Sequence, residues 1–492
     1  MYLGLDLGTS ELKLLLLDEA CQIVATANEP LSLSRAQPLW SEQHPVDWLR
    51  ALDRGMRRLR QDHARLLGAV RAIGLSGQMH GAVLLDHADR VLRPAILWND
   101  MRSGAQCAAL ERAVPDSRQI TGNLAMPGFT APKILWVAQH EPEIFRNIAR
   151  VLLPKDFLRL HLTGEYVSDR SDAAGTLWLD VRKRDWSEAM LHASGLSRDA
   201  MPRLVEGSEI SGTLRADRAH EWGMSKHVVV AGGGGDNAAS AIGMGVINEG
   251  EGLLSLGTSG VFFVANDAYR PNPEQGVHTF CHAVPGRWHQ MAVILSAASC
   301  LRWATQALHA QDEVALLQEV ESIDLVASER APLFLPYLSG ERTPHNDPHA
   351  KGVWFGLSHD SRRAALAYSV LEGVSFALLD GYRAMQAAGT VVPSASLVGG
   401  GSKSRYWCKL LASTLNLPLD LRSGSELGAA LGAARLALLA SNPDRSIAET
   451  CTPPPIIDHV EPDAQWNTVL LRRFDHYRKT YAALRPVFAD FD

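Results

Sequence analysis

With 492 residues, the chain is longer than one hydrophobic core usually fills, so we expect about two to three domains. Its hydrophobic share of 46% and charged share of 21% are ordinary for a globular protein, while a formal net charge of −6 argues against a nucleic-acid partner. No apolar run reaches the roughly 20 residues of a membrane span, so we expect no membrane partner either.

The 6 cysteines are scattered along the chain and show no Cys-x-x-Cys spacing. The sequence begins with a predicted strand and shows no signal peptide. Together these features favour reduced thiols and a cytoplasmic location.

The first residues predict a β-hairpin around a glycine. An apolar strand that contains Asp6 runs into a tight turn at Gly8, a return strand follows over residues 11–17, and a third strand ends at residue 25. The turn offers unblocked N–H groups and the hydroxyls of Thr9 and Ser10, which suits a phosphate. With Lys13 on the return strand, these residues form a predicted nucleotide contact, although a single copy would more often be a simple hairpin.

Two segments of the first half carry candidate sugar contacts. After a helix over residues 45–60, a buried strand over 70–75 leads into a turn where His80 can bond a polyol hydroxyl and Met79 offers an adaptable wall. A lone histidine is more often structural. Further on, Trp98 and Asp100 lie within a short aromatic, amide and charged string that is typical of carbohydrate sites. The alternative is a solvated turn in which Asp100 pairs with Arg102.

The best candidate for a catalytic base is Asp236. Residues 100–225 are predicted to be mainly helices and loops, and a strand over 227–231 then ends in the glycines 232–235. This pattern places Asp236 at the C-terminal edge of a sheet, where α/β proteins hold their active sites. A carboxylate there can accept the proton of a hydroxyl that attacks phosphorus, although Asp before a small-residue helix is often only an N-cap.

The glycine hairpin recurs in the second half as Gly257, Thr258 and Ser259, 257 − 8 = 249 positions after the first copy. The repeat predicts an internally duplicated nucleotide binder whose two hairpins hold a polyphosphate from opposite sides. The copies differ where the first has Asp6 and the second Ser255. Because a carboxylate beside phosphates needs a bridging cation, Asp6 is predicted to hold Mg²⁺.

The rest of the second half predicts an adenosine contact and a closing helix. A strand over 396–398 runs into a turn where Gly400 and Gly401 clear space for the nucleotide, with Ser404 beside them. A small-residue helix follows over 428–440, a linker begins at residue 452, and a last helix spans 463–484. The alternation of strands and helices predicts an α/β fold. We expect domains over 1–248 and 249–450, then a C-terminal linker and helix over 451–492.

These motifs resemble those of the FGGY carbohydrate kinases, which have an actin-like (ribonuclease-H-like) ATPase fold. The similarity runs from Leu3 to about Ala440. It is carried by two phosphate motifs, an adenosine motif and two family signatures: residues 6–10, 257–260, 398–402, 128–136, and 352–357 with 371–373. The resemblance implies two actin-like domains around a cleft that binds ATP and Mg²⁺, and a possible homodimer.

Within this family, the segments 78–81, 97–100, 127–133, 171–176 and 338–344 are similar to the bacterial group that phosphorylates D-xylulose. The resemblance implies that Asp236 is the proton acceptor, that Met79 and His80 contact the ketopentose, and that Asp6 serves the metal–phosphate centre. The expected activity is ATP-dependent formation of D-xylulose 5-phosphate. Two alternatives stay open, namely a kinase for another polyol such as ribulose, glycerol or gluconate, and an actin- or chaperone-like ATPase switch without a sugar substrate.

Overall fold

The structure is a computed structural model that describes residues 1–324, 328–423 and 427–491. Two large mixed sheets, each of seven strands within these ranges, form its framework. The first sheet belongs to the N-terminal half of the chain and the second to the C-terminal half. Their buried faces supply the cores of the two halves, and a third apolar cluster contains residues of both.

The first sheet runs, from one edge to the other, through the strands Ile210–Thr213, Val229–Ala231, Ala72–Gly77, Tyr2–Leu7, Glu11–Leu17 and Ile23–Pro30. Its central strands Val229–Ala231, Ala72–Gly77 and Tyr2–Leu7 are parallel, and the outer neighbours pair antiparallel. The two-residue strand Gly234–Gly235 also pairs with Ala72–Gly77.

The second sheet repeats this plan. Its strands are, in order, Ile456–Val460, Leu419–Arg422, Ala395–Val398, Gly252–Leu256, Gly260–Asn266, Trp288–Ile294 and His278–Cys281. From the Ile456–Val460 edge, the first five pairings are antiparallel, parallel, parallel, antiparallel and antiparallel, as in the first sheet. A sixth pairing, also antiparallel, joins His278–Cys281 to Trp288–Ile294. The duplication that the repeated hairpin predicts is therefore present in the strand order. Ile456–Val460 is a strand of this sheet within the segment expected to be a linker.

Short two-stranded pairings complete the β-structure. They are Glu42–Gln43 with Ala95–Ile96, Val83–Leu85 with Arg150–Leu152, Val167–Asp169 with Arg203–Val205, Leu179–Asp180 with Asp185–Trp186, and Leu333–Leu335 with Val353–Phe355. Several lie in the region expected to hold mainly helices and loops. Strands of two or three residues are too short to show alternation of apolar and polar residues, so the sequence pattern does not reveal them.

The α-helices of the first half are Pro45–Gly68, Gly104–Ala113, Ser117–Thr121, Thr130–His140, Pro142–Arg146, Pro154–Thr163, Arg170–Ala173, Glu188–Ala193, Ala216–Trp222 and Asp236–Gly243. Those described in the second half are Ala298–Ala307, Glu313–Val320, Arg363–Ala387, Arg405–Leu415, Gly428–Ser441, Ile447–Thr450 and Ala464–Phe488. The predicted helix over 45–60 continues to Gly68, because its apolar face continues into Leu67 of the first core.

Two helices of small residues, Asp236–Gly243 and Gly428–Ser441, pack against each other. Helix Gly428–Ser441 also lies on the strands Tyr2–Leu7 and Ala72–Gly77 of the first sheet, so the end of the second half supports the first. The approach is close, because a Cβ on Gly432 would lie 1.8 Å from the carbonyl oxygen of Ala239. This packing fixes the start of Asp236–Gly243, where the candidate base is located.

Helix Arg363–Ala387 is long and apolar enough to cross a membrane by length and composition alone. In the structure, 83% of its apolar window is buried inside the protein. It packs on helix Arg405–Leu415 and on strand Trp288–Ile294, and its residues form part of the core of the second half. Its apolar surface is thus accounted for by packing within the chain.

Candidate active site

Two cavities lie along the second hairpin, residues 256–260. The small cavity has a volume of about 220 Å³, and both halves of the chain line it. The large cavity has a volume of about 740 Å³ and lies in the second half. Gly257 and Thr258 line the large cavity, whereas the next residue, Ser259, lines the small one. The second hairpin therefore connects the two spaces.

Asp236 lines the small cavity from the first half. The strand Val229–Ala231 and the pairing of Gly234–Gly235 with Ala72–Gly77 bring the chain to this point, and Asp236 is the first residue of helix Asp236–Gly243. It is not the N-cap, which is Gly235. Its Oδ1 accepts hydrogen bonds from the backbone N and the Nδ2 of Asn237, at 2.8 and 2.9 Å. Within the described ranges Oδ2 accepts no hydrogen bond, so this oxygen is free to meet a ligand.

Asp6 lies at the end of the buried strand Tyr2–Leu7. Its Oδ1 accepts a hydrogen bond from Ser76 Oγ at 3.1 Å, and Lys13 is its register partner on the neighbouring strand. Burial raises the pKa of Asp6, while the Ser76 bond and the charge of Lys13 oppose that rise. Lys13 itself pairs with Glu11 at 3.4 Å and lines neither cavity.

The two carboxylates influence each other. Burial raises the pKa of Asp236 to about 7, and the negative charge of Asp6 contributes to that rise. At neutral pH, Asp236 is therefore close to the balance between its acid and base forms, as a general base needs to be. Among the described residues, no group of three or more His, Cys, Asp or Glu side chains could hold a metal ion. Mg²⁺ nevertheless fits the pair of Asp6 and Asp236, since this ion commonly uses one or two carboxylates and takes its other ligands from water and phosphates.

His80 is held as a neutral ring with a defined tautomer. Its Nδ1 lies 2.6 Å from the carbonyl oxygen of Gly175, so Nδ1 carries the proton and Nε2 is an acceptor. Burial lowers the pKa of His80 to about 3, which keeps the ring neutral at physiological pH. The backbone of His80 has a φ of +69°, and its carbonyl accepts hydrogen bonds from Lys133 Nζ at 2.8 Å and Thr130 Oγ1 at 3.1 Å.

Met79 and Trp98 complete the predicted sugar contacts that line the small cavity. Met79 packs over Gly235, where an added Cβ would lie 2.8 Å from the Met79 sulfur, so this glycine makes room for the side chain next to Asp236. Trp98 is 40% exposed, and its Nε1 donates to Thr9 Oγ1 at 3.0 Å. Thr9 Oγ1 in turn donates to Gln78 Oε1 at 3.1 Å, which ties the first hairpin to the turn at residues 78–81.

Asp100 does not line either cavity, contrary to its predicted role as a sugar contact. Its side chain is fully buried, its Oδ2 lies 2.7 Å from Arg102 Nη2, and the same oxygen accepts from the backbone N of Ser41 at 2.6 Å. The carboxylate turns inward because Arg102 of its own loop and the distant backbone N–H of Ser41 supply these partners. The pairing of Asp100 with Arg102 is thus present, but it is buried and not solvated.

The large cavity brings together most of the predicted nucleotide contacts of the second half, namely Gly257, Thr258, Gly400, Gly401 and Ser404. Gly399 has a φ of +98° and leads into the short 3-10 turn Gly400–Lys403. Ser404 caps the following helix, since its Oγ accepts from Trp407 N at 3.2 Å. By contrast, Gly8, Thr9 and Ser10 line neither cavity, and the N–H of Gly8 is used within its own turn, donating to Glu11 O at 3.0 Å.

Several residues that support the site have no local sequence signal of their role. Lys133 is fully buried and donates to the carbonyls of His80 and Gly128 at 2.8 and 2.7 Å. Ser171 Oγ accepts from the backbone N of Gly235 at 3.2 Å, next to Asp236. Both lie in segments that the resemblance marks as family motifs, which is the one signal that could have singled them out.

The chain matches known proteins along its whole length. Residues 1–243 match the model of the FGGY family of carbohydrate kinases, N-terminal domain, and residues 252–441 match that of the C-terminal domain. A protein named xylulose kinase from Escherichia coli K12 is 53% identical over 99% of this chain and 100% of that relative. A xylulose kinase of Bacillus subtilis is 36% identical over 91% of this chain and 89% of its own length.

Solved structures agree with the sequence matches. A crystal structure described as a xyloylose kinase from Brucella ovis superimposes with a TM-score of 0.95 at 51% identity, covering 99% of both chains. The xylulose kinase of Rhodospirillum rubrum superimposes with a TM-score of 0.93 at 27% identity, again over 99% of both chains. With two duplicated sheets, Asp236 in a cavity lined by both halves and both family domains matched, the chain belongs to the FGGY family of carbohydrate kinases.

Proposed function

We propose that this chain transfers the γ-phosphoryl group of ATP to the terminal hydroxyl on carbon five of D-xylulose. Two features support the proposal: the names of the full-length relatives, and the small cavity, whose volume of about 220 Å³ suits a five-carbon sugar. The observation that best supports this chemistry is the position of Asp236, whose carboxylate lies in this cavity and has a pKa raised to about 7.

Asp236 has the properties of a proton acceptor for the sugar hydroxyl. Its Oδ1 is held by Asn237, which leaves Oδ2 to accept a hydrogen bond from the attacking hydroxyl. A base with a pKa near the working pH is both sufficiently ionised and sufficiently basic to take the proton as the O–P bond forms. His80 Nε2 can accept a hydrogen bond from another sugar hydroxyl, and Met79 supplies an apolar wall.

The nucleotide is proposed to occupy the large cavity with its base beside Gly400 and Gly401 and its phosphates along Gly257 and Thr258. Because the second hairpin reaches from the large cavity to the small one, the terminal phosphate can approach Asp236 past Ser259. Asp6 is proposed to hold Mg²⁺, which would supply positive charge to neutralise the transferred group. Thr9, Ser10 and Lys13 stay predicted phosphate contacts, which requires the first hairpin to move toward the nucleotide.

Closure of the two halves over the sugar would exclude water from the reacting atoms. Residues of both halves already line the small cavity. The surrounding walls are largely apolar, with Phe129 from the first half and Phe280 from the second. In such a site the phosphoryl group meets the sugar hydroxyl in preference to water.

The proposal is tested with the purified chain, Mg²⁺-ATP and a panel of polyols in a coupled assay of ADP formation. We expect D-xylulose to give the highest kcat/KM, ahead of ribulose, glycerol and gluconate, and the product to carry its phosphate on O5 by NMR. A higher kcat/KM for another polyol would contradict the substrate assignment. ADP formation that no sugar stimulates would contradict the kinase assignment itself and favour an ATPase switch.

Homodimeric assembly and a cytoplasmic location are also part of the proposal, carried by the resemblance and by the scattered free cysteines. Light scattering of the purified protein measures the first directly. A mass of twice 53.6 kDa is expected for a dimer.

A further inference from the structure

Arg342 lines the small cavity with a guanidinium group that has no ion-pair partner. In the ranges 1–324, 328–423 and 427–491, no carboxylate oxygen lies within 4.0 Å of the guanidinium nitrogens of Arg342. Its one side-chain hydrogen bond is to His278, with Nη1 3.5 Å from Nε2. A guanidinium is a donor at every nitrogen and is costly to leave without acceptors in a partly buried site. The cavity therefore presents a cation that a ligand can satisfy.

The tautomer of His278 orients this cation. Asn123 Nδ2 donates to the carbonyls of Thr121 and Thr279 at 2.7 and 2.9 Å, which identifies Asn123 Oδ1 as the acceptor. This oxygen lies 3.2 Å from His278 Nδ1, so Nδ1 carries the proton and Nε2 is left as the acceptor that faces Arg342. His278 also stacks on Phe280 at 5.6 Å, which fixes the plane of its ring.

The loop around Arg342 is held on both sides. Glu341 Oε1 accepts from the backbone N of Leu295 at 2.9 Å and of Arg342 at 2.7 Å. Thr343 N donates to Val293 O at 3.0 Å. Because the backbone before and after it is tied to the second sheet, Arg342 is a preorganised donor.

The other polar groups of the cavity differ from Arg342 in what they offer. Asp236 Oδ2 and His80 Nε2 are acceptors, and the indole N–H of Trp98 is already bonded to Thr9. Asn237 and Ser259 can donate only from neutral groups, so Arg342 is the charged donor among the lining residues. In an open-chain ketopentose, each hydroxyl can donate or accept, whereas the carbonyl oxygen can only accept. The hydroxyls match Asp236 and His80, and the carbonyl oxygen requires a donor such as Arg342.

We infer that Arg342, oriented by His278, binds the carbonyl oxygen of the ketose and makes the site prefer a ketose to the alditol of the same length. This inference rests on the proposed function, since it assigns one contact within the same sugar site. A site built to hydrogen-bond one group discriminates strongly against the analogue that lacks it.

The test compares D-xylulose with xylitol as acceptors for wild type, Arg342→Met, Arg342→Lys and the control Arg363→Met. Arg363 is an exposed residue of the same half that pairs with Glu319 and lines neither cavity. For Arg342→Met we expect kcat/KM to fall about 30- to 100-fold with D-xylulose, as for loss of a charge-assisted hydrogen bond, and only about threefold with xylitol. Arg342→Lys should give an intermediate loss, and Arg363→Met should match wild type.

His278→Phe tests the orienting contact. The phenyl ring can still stack on Phe280, but it offers no acceptor to the guanidinium. The preference for D-xylulose over xylitol should therefore decrease, as it does for Arg342→Met. Calorimetric titration of each variant with D-xylulose gives the loss of affinity independently of turnover. If Arg342→Met fails to fold, Arg342→Lys and His278→Phe carry the same test.

Equal losses for D-xylulose and xylitol would overturn the inference, because they would show no special contact with the carbonyl. It would also be overturned if Arg342→Met changed only inhibition by the phosphorylated product, since the guanidinium would then face the phosphate. Both results require a wild type that phosphorylates D-xylulose. A wild type that does not would refute the proposed function instead.

Discussion

At the scale of single residues, two carboxylates, Asp6 and Asp236, influence each other's charge. The charge of Asp6 helps to raise the pKa of Asp236, whereas Ser76 and Lys13 partly stabilise ionised Asp6. Without a cation the pair is electrostatically strained. A divalent ion held by Asp6 would lower both pKa values and so favour the ionised form of Asp236 that the proposed proton transfer needs.

This strain predicts that Asp236→Asn stabilises the free protein in a pH-dependent way. The folded pKa of about 7 exceeds the ordinary value of 3.8, so between these values the folded state holds a proton that the unfolded state releases. Stability of wild type therefore falls as pH rises from about 4 to 7, and the penalty is complete above pH 7. The melting temperature of Asp236→Asn should exceed that of wild type by a few degrees at pH 8 and equal it near pH 4.

The measurement is differential scanning calorimetry of both proteins from pH 4 to 8 without nucleotide. The surface variant Asp217→Asn is the control, because Asp217 is exposed and pairs with Arg215. A gain of the same size at every pH would show that Asp236 has an ordinary pKa in the folded protein.

The sequence predicts the residues that carry chemistry better than the residues that position them. Met79, His80, Trp98 and Asp236 do line one cavity, as their residue types and local turns suggest. Asp100 does not, because the choice between a ligand contact and a buried ion pair depends on where Ser41 and Arg102 come to lie. The contacts of His278 and Arg342 join residues 64 positions apart, which no local pattern can show.

At the scale of elements, helix Gly428–Ser441 is the part of the second half that reaches the first sheet. Its small residues allow close contact with helix Asp236–Gly243, and Gly432 meets the backbone of Ala239. The sequence predicts this helix with nearly its observed bounds. It does not predict which sheet the helix covers, since small residues indicate close packing but do not identify the element against which the helix packs.

We predict that Gly432→Ala destabilises the protein although alanine is the better helix former. An added Cβ would lie 1.8 Å from Ala239 O, so the two helices must separate, and we expect a loss of about 2 kcal/mol or more in the free energy of unfolding. Helix propensity alone would give a gain of about 1 kcal/mol. Urea denaturation followed by circular dichroism measures the sign.

Gly104→Ala is the matched control. Gly104 begins helix Gly104–Ala113, and the nearest atom to an added Cβ is 4.0 Å away, so this variant should be neutral or slightly stabilised. If Gly432→Ala were as stable as Gly104→Ala, the close packing of the two small-residue helices would be refuted.

At the scale of the whole molecule, the duplicated sheets explain why a repeated hairpin occurs at all. Each hairpin lies at an equivalent pair of strands, Tyr2–Leu7 with Glu11–Leu17 and Gly252–Leu256 with Gly260–Asn266. The second hairpin connects the two cavities, whereas the first contacts the turn at residues 78–81 through Thr9. The repeat and the fold class follow from the sequence, but the relative placement of the halves follows from long-range packing.

Asp236 is proposed to remove the proton from the sugar hydroxyl as the phosphoryl group arrives. The most direct test is the steady-state turnover of Asp236→Asn with saturating D-xylulose and Mg²⁺-ATP, beside wild type and Asp217→Asn. We predict a kcat lower by about a hundredfold or more, with ATP affinity close to that of wild type, because the amide keeps the shape of the site but cannot accept the proton. Turnover of Asp236→Asn at the wild-type rate would contradict the account.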